Sequence, residues 1–465
     1  MKFEFHPRRA GKVAGVLALV LLAAGTGIAR AQDAATATPG ASASVAALVT
    51  PEEGRLKNGL RVLSLVDPHA AVATFQVWYD TGSRNERPGI SGISHLFEHL
   101  MFKGTKKVAP EDFARQIQAV GGISSAATTW DVTYYWQALP PDQLELAARL
   151  EADRMANLTL SDANLASERE VVKEERRFRV DNQPIGRALE LLTAQAYESN
   201  PYHWPTAGWM RDLDAITLGD CKDYYAIHYA PDKAVVIIAG PTTHAANLQL
   251  VTKYFGSLKP GLPAPRVTTG EEPQHGERDA TLEAEVQLPL LLGGYKVPPD
   301  SSADSPVIDV IANLLSTGES SRLHRKLVYE EQSALFAGGL SIGRKDTGLF
   351  YAFCAAKPGR DRDSLETTFF HEFERLATDE VSEEELARVQ SQLEAQFVFG
   401  LEQVQDRASN VGIATLIGGD PQRAARRVER WRAVTRQDIR RVAATWLVPA
   451  NRTRVWVVPA PRRAS

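Results

Sequence analysis

Ser94-His95-Leu96-Phe97-Glu98-His99 sets two imidazoles four residues apart within an apolar stretch. On a helix this spacing puts both rings on one face, one turn apart, where together they can hold one metal ion. Glu98 lies three residues beyond His95 and projects to nearly the same side. From there it can act on a nearby water without being a ligand. The order H-x-x-E-H reverses the commoner H-E-x-x-H zinc motif. A buried or capping histidine pair beside a surface glutamate would show the same letters. Two features favour the metal. The rest of the stretch is apolar (Ile93, Leu96, Phe97, Leu100, Met101), so three titratable groups there are costly without a partner. Only ten histidines occur in the chain, and two of them fall at ligand spacing.

A catalytic zinc takes three protein ligands and keeps one position open. The third ligand must come from elsewhere, and the acidic stretch from Ser167 to Glu175 is the best source. As a helix it places Glu168, Val172 and Glu175 on one face, with Glu170 and Glu174 turned away. Either Glu168 or Glu175 can therefore face the histidines. A solvated, salt-bridged helix would have the same composition.

These groups need a scaffold. Segments 61–66 and 72–79 have strand character, while 93–102, 110–120, 141–157 and 162–180 have helical character. Runs of strands and runs of helices without strict alternation predict an α+β sandwich, not a doubly wound sheet. The 465 residues are enough for more than one domain, at 44% apolar and 24% charged. A net charge of −4 gives no reason to expect nucleic acid or an anionic membrane surface as partner. Two cysteines, Cys221 and Cys354, cannot build a disulfide scaffold or a tetrathiolate zinc site, and both are expected to be packed thiols.

The chain also repeats itself. Ala215-Ile216-Thr217, Asp220, Ala226 and Pro231 recur as Ala433-Val434-Thr435, Asp438, Ala444 and Pro449, always at the offset of 218 that separates Thr217 from Thr435. An apolar strand follows each proline. So long a repeat is a duplicated domain. Proline-rich residues 259–265 and the polar run after them predict a linker at 258–278, between a site-bearing half at 51–257 and a second half at 279–461. Before these, Arg8, Arg9 and Lys12 precede the apolar run 13–24, and Ala29-Arg30-Ala31 is a small-x-small signal. Residues 1–31 read as a signal peptide cut after Ala31, on the general route more than the twin-arginine one. The expectation is an exported, periplasmic or otherwise extracytoplasmic chain with no stable membrane span after cleavage. Residues 32–50 read as a flexible leader.

With these residues assembled, the chain resembles the pitrilysin family of inverted zinc peptidases, which includes insulin-degrading enzyme and the mitochondrial processing peptidase. The likeness runs over about residues 52–460. In that family H-x-x-E-H is followed about 75 residues later by the third ligand, in a segment like E-R-x-V-x-x-x-E. Glu175 lies 76 residues beyond His99. The resemblance thus implies one zinc per chain on His95, His99 and Glu175, Glu98 as catalytic base, and Glu168 as a supporting carboxylate behind the ligands. It also implies two tandem homologous α/β-sandwich domains closing around a peptide-binding chamber. Asn58-Gly59-Leu60 and Gly82-Ser83-Arg84-Asn85-Glu86 are similar to family segments. So is Gly121-Gly122 with Ala126, Thr128, Asp131 and Thr133, although Ser125 stands where the family usually has asparagine. By resemblance, Ser125 and Ala126 lie on the edge strand that receives the substrate.

Gly104-Thr105 aligns with Gly318-Glu319, which puts Asp309, Ala312 and Asn313 where the second half would carry its own site. That set cannot hold a catalytic zinc. Gly318-Glu319-Ser320-Ser321-Arg322-Leu323 resembles the family's G-x-x-S-R-L element, whose arginine works with a following tyrosine on substrate. Arg322 is then a substrate-binding candidate, but the tyrosine is absent from 333–337, and Tyr329 comes too early. This implies a homologous partner chain supplying an arginine–tyrosine pair, or a homodimer. The expected function is zinc-dependent endopeptidase action on unfolded or short peptides. The alternatives are a non-catalytic core or assembly subunit and a maturation peptidase dedicated to one substrate.

Overall fold

The structure is a computed structural model that describes residues 41–267 and 270–461. The signal peptide and residues 32–40 of the leader lie outside the described residues.

Two sheets of matching topology organise the chain. The first runs β1-β2-β6-β3-β5-β4, from β1 (Glu52–Arg55), β2 (Arg61–Val66), β3 (Ala73–Tyr79), β4 (Ile123–Thr128), β5 (Thr133–Leu139) and β6 (Ala234–Gly240). The second runs β7-β11-β8-β10-β9, from β7 (Arg278–Ala284), β8 (Leu290–Val297), β9 (Ala334–Ile342), β10 (Gly348–Ala356) and β11 (Arg452–Pro459). Each sheet has one parallel pair, β2 with β6 and β7 with β11, and is otherwise antiparallel. The repeat is visible in local chemistry. Thr217 and Thr435 each cap a helix by accepting the amide of Asp220 or Asp438, whose carboxylate bonds back to the cap amide.

Side chains alternate across a strand, so a sheet covered on both faces needs two apolar sets. In the first sheet Val62, Phe75, Val77, Val236 and Ile238 pack against helices of their own half. Leu63, Leu65, Trp78, Val235 and Ile237 join a core with Ala408 and Val411 of the second half. Helix Val404–Leu416 lies on β3 and β6 there. The exchange is reciprocal. Helix Pro184–Ala196 of the first half covers β7, β8 and β11, burying Ala188 and Leu192 against Leu292, Val455 and Val457. Two of the three hydrophobic cores are therefore shared between the halves.

Three local expectations need correction. The leader is not all irregular, because Ala41–Leu48 is helical and Val45 and Val49, one turn apart, are buried in the shared core. Alanine and serine make up most of that helix, and among them a two-residue apolar face is easily missed. The acidic helix ends at Arg176 and continues as a π-turn over Arg177–Asp181. The residue before Pro184 disfavours helical backbone, so the chain turns there before the next helix begins. The linker is irregular but pinned at several points, among them Gly261 to Asp232 and Gln274 to the Arg452 carbonyl. Glu271 accepts the amides of Glu198, Ser199 and Asn200 and lies 3.3 Å from the Lys296 ammonium.

Candidate active site

β3 leads through a short 3₁₀ turn (Ser83–Asn85) into the histidine helix, Ile93–Leu100. Ile93, Leu96, Phe97 and Leu100 bury its apolar face in the first half's core. That packing turns His95, Glu98 and His99 to the other side. The acidic helix, Asp162–Arg176, packs against it and is anchored by buried Leu165 and Val172.

The ligand atoms of His95, His99 and Glu175 all lie within 4.8 Å of one another. Glu175 Oε2 is 3.3 Å from His99 Nε2 and 3.9 Å from His95 Nε2. Donors about 2.1 Å from a tetrahedral zinc lie about 3.4 Å apart, so this trio fits such an ion. Behind it, Glu168 Oε2 sits 3.5 Å from His99 Nδ1, and its other oxygen is 2.6 Å from Lys103 Nζ. Glu168 is thus placed where a carboxylate can orient the His99 imidazole. Arg179 holds Glu175 Oε1 at 2.8 Å, which leaves Oε2 to the histidines. His95 Nδ1 is buried and has no partner among the described residues.

The electrostatics agree with a cation site. Burial works against a charged His99, but its hydrogen bonds to Glu168 and Glu175 and the nearby carboxylate charges outweigh burial and lift it to about 9. Burial lowers His95. The hydrogen bond with His99 is the main force holding Glu175 down at about 2, helped by His95 and Arg179. Burial works to raise Glu168 as well, yet the hydrogen bonds from His99 and Lys103 keep it below the ordinary carboxylate range. Acidic and basic groups here stabilise each other's charges.

Glu98 is outside the trio. It accepts a 2.6 Å hydrogen bond from the Thr128 hydroxyl, at the end of β4. β4 is one edge of the first sheet, so its outer backbone groups are unpaired within the described sheet. Ser125 and Ala126 lie on it, opposite Trp136 and Tyr135 of β5, and the histidine helix packs on the same strand. Arg322 is not brought to this place. Its guanidinium grips Glu385 of helix Glu383–Phe399 through two bonds of 2.9 and 2.8 Å. In the second half, half-buried Asp309 accepts the Trp431 indole N–H at 2.9 Å, and Asn313 is buried. That location holds a structural contact between helices.

Lys103 and Arg179 take part at the site although sequence patterns did not point to them, and Thr128 stood out only within the segment that follows Gly121-Gly122. Lys103 and Arg179 each stand four residues beyond a ligand, His99 and Glu175, and that spacing was the available signal.

Residues 61–208 match the family described as Insulinase (Peptidase family M16), and residues 215–393 match Peptidase M16 inactive domain. The chain is 34% identical over 363 residues to zinc protease PqqE of Helicobacter pylori, covering 77% of this chain and 81% of that protein. A probable mitochondrial-processing peptidase subunit beta of Arabidopsis thaliana is 25% identical over 404 residues, covering 84% of this chain and 75% of that one. The crystal structure of a protease from Helicobacter pylori superposes with a TM-score of 0.85 at 31% identity, over 89% of this chain and 100% of that chain. By this similarity, joined to its two matching sheets, the chain belongs to the insulinase family, peptidase family M16.

Proposed function

We propose that this chain is a zinc metalloendopeptidase acting on unfolded or short peptides. The observation that carries the reading is the convergence of His95 Nε2, His99 Nε2 and Glu175 Oε2 beside a glutamate tethered to an open sheet edge. Bound to that trio, zinc supplies Lewis acidity that polarises the scissile carbonyl and makes water nucleophilic near neutral pH. Glu98 takes the proton from the attacking water and passes it to the leaving amine. Glu168 aims His99, and Arg179 fixes the Glu175 carboxylate. A peptide adding as a strand along β4 finds backbone partners regardless of its sequence, which suits broad peptide specificity.

The shared core holds the two halves together, so the chamber is proposed to close against a second chain, homologous or identical. The pairing of Arg322 with Glu385 and the missing tyrosine support that reading. No helix among the described residues is long and apolar enough to cross a membrane. The proposed location is extracytoplasmic, on the strength of the N-terminal sequence.

The test compares bound metal and cleavage of a quenched peptide in wild type, Glu98→Gln and Glu175→Gln. Wild type should hold about one zinc. Glu98→Gln should keep it with activity down about 10²–10⁴-fold, the usual contribution of proton transfer. Glu175→Gln should lose the metal. A wild-type chain without metal would sink the proposal.

A further inference from the structure

The histidine helix has only eight residues, so its first turn sets the angle at which both imidazoles are presented. Its N-cap is Gly92, at φ 90° and with no side-chain cap. A larger residue has no room there. A Cβ on Gly92 would lie 2.7 Å from the Ala207 carbonyl oxygen and 2.8 Å from Gly208 Cα. The usual device, a serine, threonine or aspartate at the N-cap, is sterically closed. The first-turn amides still need acceptors, since they are buried and have no intrahelical partner.

Glu86 supplies them from outside the helix. Its Oε2 accepts the Gly92 amide and its Oε1 the Ser94 amide, each at 2.8 Å. The side chain is buried, at 7% exposure. Its backbone is held in turn. Glu86 ends the 3₁₀ turn that contains Arg84, and Arg84 is gripped by Asp346 of the second half at 2.6 and 2.7 Å. The Ser94 hydroxyl shares a 2.7 Å hydrogen bond with Tyr224, which shares one of 2.8 Å with Thr81. Ser94 immediately precedes His95. The Glu86 carboxylate is spent on these two amides and not on the side chains of the metal trio or Glu98.

We propose that Glu86 is a positioning residue of the metal site, a cap supplied from a neighbouring turn that fixes the pitch and rotation of the histidine helix and thereby the convergence of His95 and His99 on Glu175. The inference rests on the metallopeptidase reading above. A carboxylate at this end complements the positive pole of the helix, while burial opposes the charge and lifts Glu86 to about 8 against the Ser94 and Gly92 hydrogen bonds that lower it. Loss of one of its two bonds frees the first turn, where His95 sits, more than the second turn, where His99 sits.

The experiment uses the full chain and reads zinc affinity by chelator competition, with the visible absorption of the cobalt(II)-substituted protein as a second readout. Glu86→Gln keeps one acceptor oxygen and turns an NH₂ group toward the other amide. Zinc binding should weaken about 10–100-fold, the range for residues that orient metal ligands, and the cobalt spectrum should change. Glu86→Asp keeps the carboxyl group but withdraws it by one methylene, and should fall between wild type and Glu86→Gln. Asp212→Asn is the control. Asp212 accepts the Ser91 amide and hydroxyl just before the helix, not the helix's own amides, and its variant should bind zinc like wild type. If Glu86→Gln does not fold, Glu86→Asp is read alone. Wild-type affinity and spectrum in the Glu86 variants would overturn the inference while leaving the metallopeptidase reading intact. So would an equal loss in Asp212→Asn, because any loosening nearby would then suffice. A wild-type chain that binds no zinc would overturn both.

Discussion

The site's charges are arranged for a cation, and this has a measurable consequence. Without metal, His99 is lifted to about 9 by its carboxylate neighbours, and Glu175 is held near 2. An imidazole must be neutral to ligate, so zinc binding at pH 7 should expel about one proton per chain. Titration calorimetry in buffers of different ionisation enthalpy reads that number. A value near zero would contradict the pairing. The same shifts set the sign of the metal-free stability. A raised histidine contributes fully below its ordinary 6.5 and loses the contribution as pH climbs through about 9. A depressed glutamate contributes above its ordinary 4.5 and loses it as pH falls toward about 2. The stability difference between metal-free wild type and His99→Ala should therefore peak between pH 4.5 and 6.5. Of this site, the two histidines and Glu98 were legible in the sequence because helical spacing alone places them. The choice of Glu175 over Glu168 was not, since both share a face. The geometry separates them, with Glu175 facing Nε2 of both rings and Glu168 facing Nδ1 of one.

At the scale of elements, close packing between the halves depends on small residues at crossings. Helix Val404–Leu416 rests on the first sheet where Gly412 meets the Trp78 indole, itself stacked on Tyr134 at 3.9 Å. A Cβ at Gly412 has no space, so helix and indole would have to part. Gly412→Ala should destabilise the chain by about 1–3 kcal/mol, the usual range for overpacking, despite alanine's better helix propensity. Denaturant unfolding measures it, and a gain in stability would show that the crossing is loose. The strands at 61–66 and 72–79 and the helices assigned in the first half were readable from the sequence, because alternation and helical periodicity are local. Helix ends were less so. The histidine helix stops at Leu100, and the acidic helix changes to a π-turn at Arg177, where the next helix packs on it. Gly186 shows this for the second, since a Cβ on it would run into the backbone of Arg179 and Val180.

At the scale of the whole molecule, the exchange of helices between halves makes them interdependent. Gln76 on β3 donates to the Gln405 carbonyl, and Arg407 pairs with Asp67 at 2.6 Å, so polar contacts cross the same boundary. The halves are joined by the stretch before β7, in which Leu262 is exposed. A protease nick at 262–266 should therefore leave two fragments that co-elute on native gel filtration and keep their zinc. Fragments that separated would show that the shared core contributes little.

By itself the sequence determined the placement of His95, Glu98 and His99 and the duplication. Ligand spacing on a helix, capping pairs that recur after 218 residues and alternating apolar strands are all short-range patterns that the chain states directly. Three things were decided by the tertiary structure. Thr128 meets Glu98 across 30 residues, Glu86 caps a helix whose own cap position is sterically closed, and each sheet is covered by a helix from the other half. These are contacts between surfaces. A residue's type shows that it can make such a contact, but only the folded packing selects its partner.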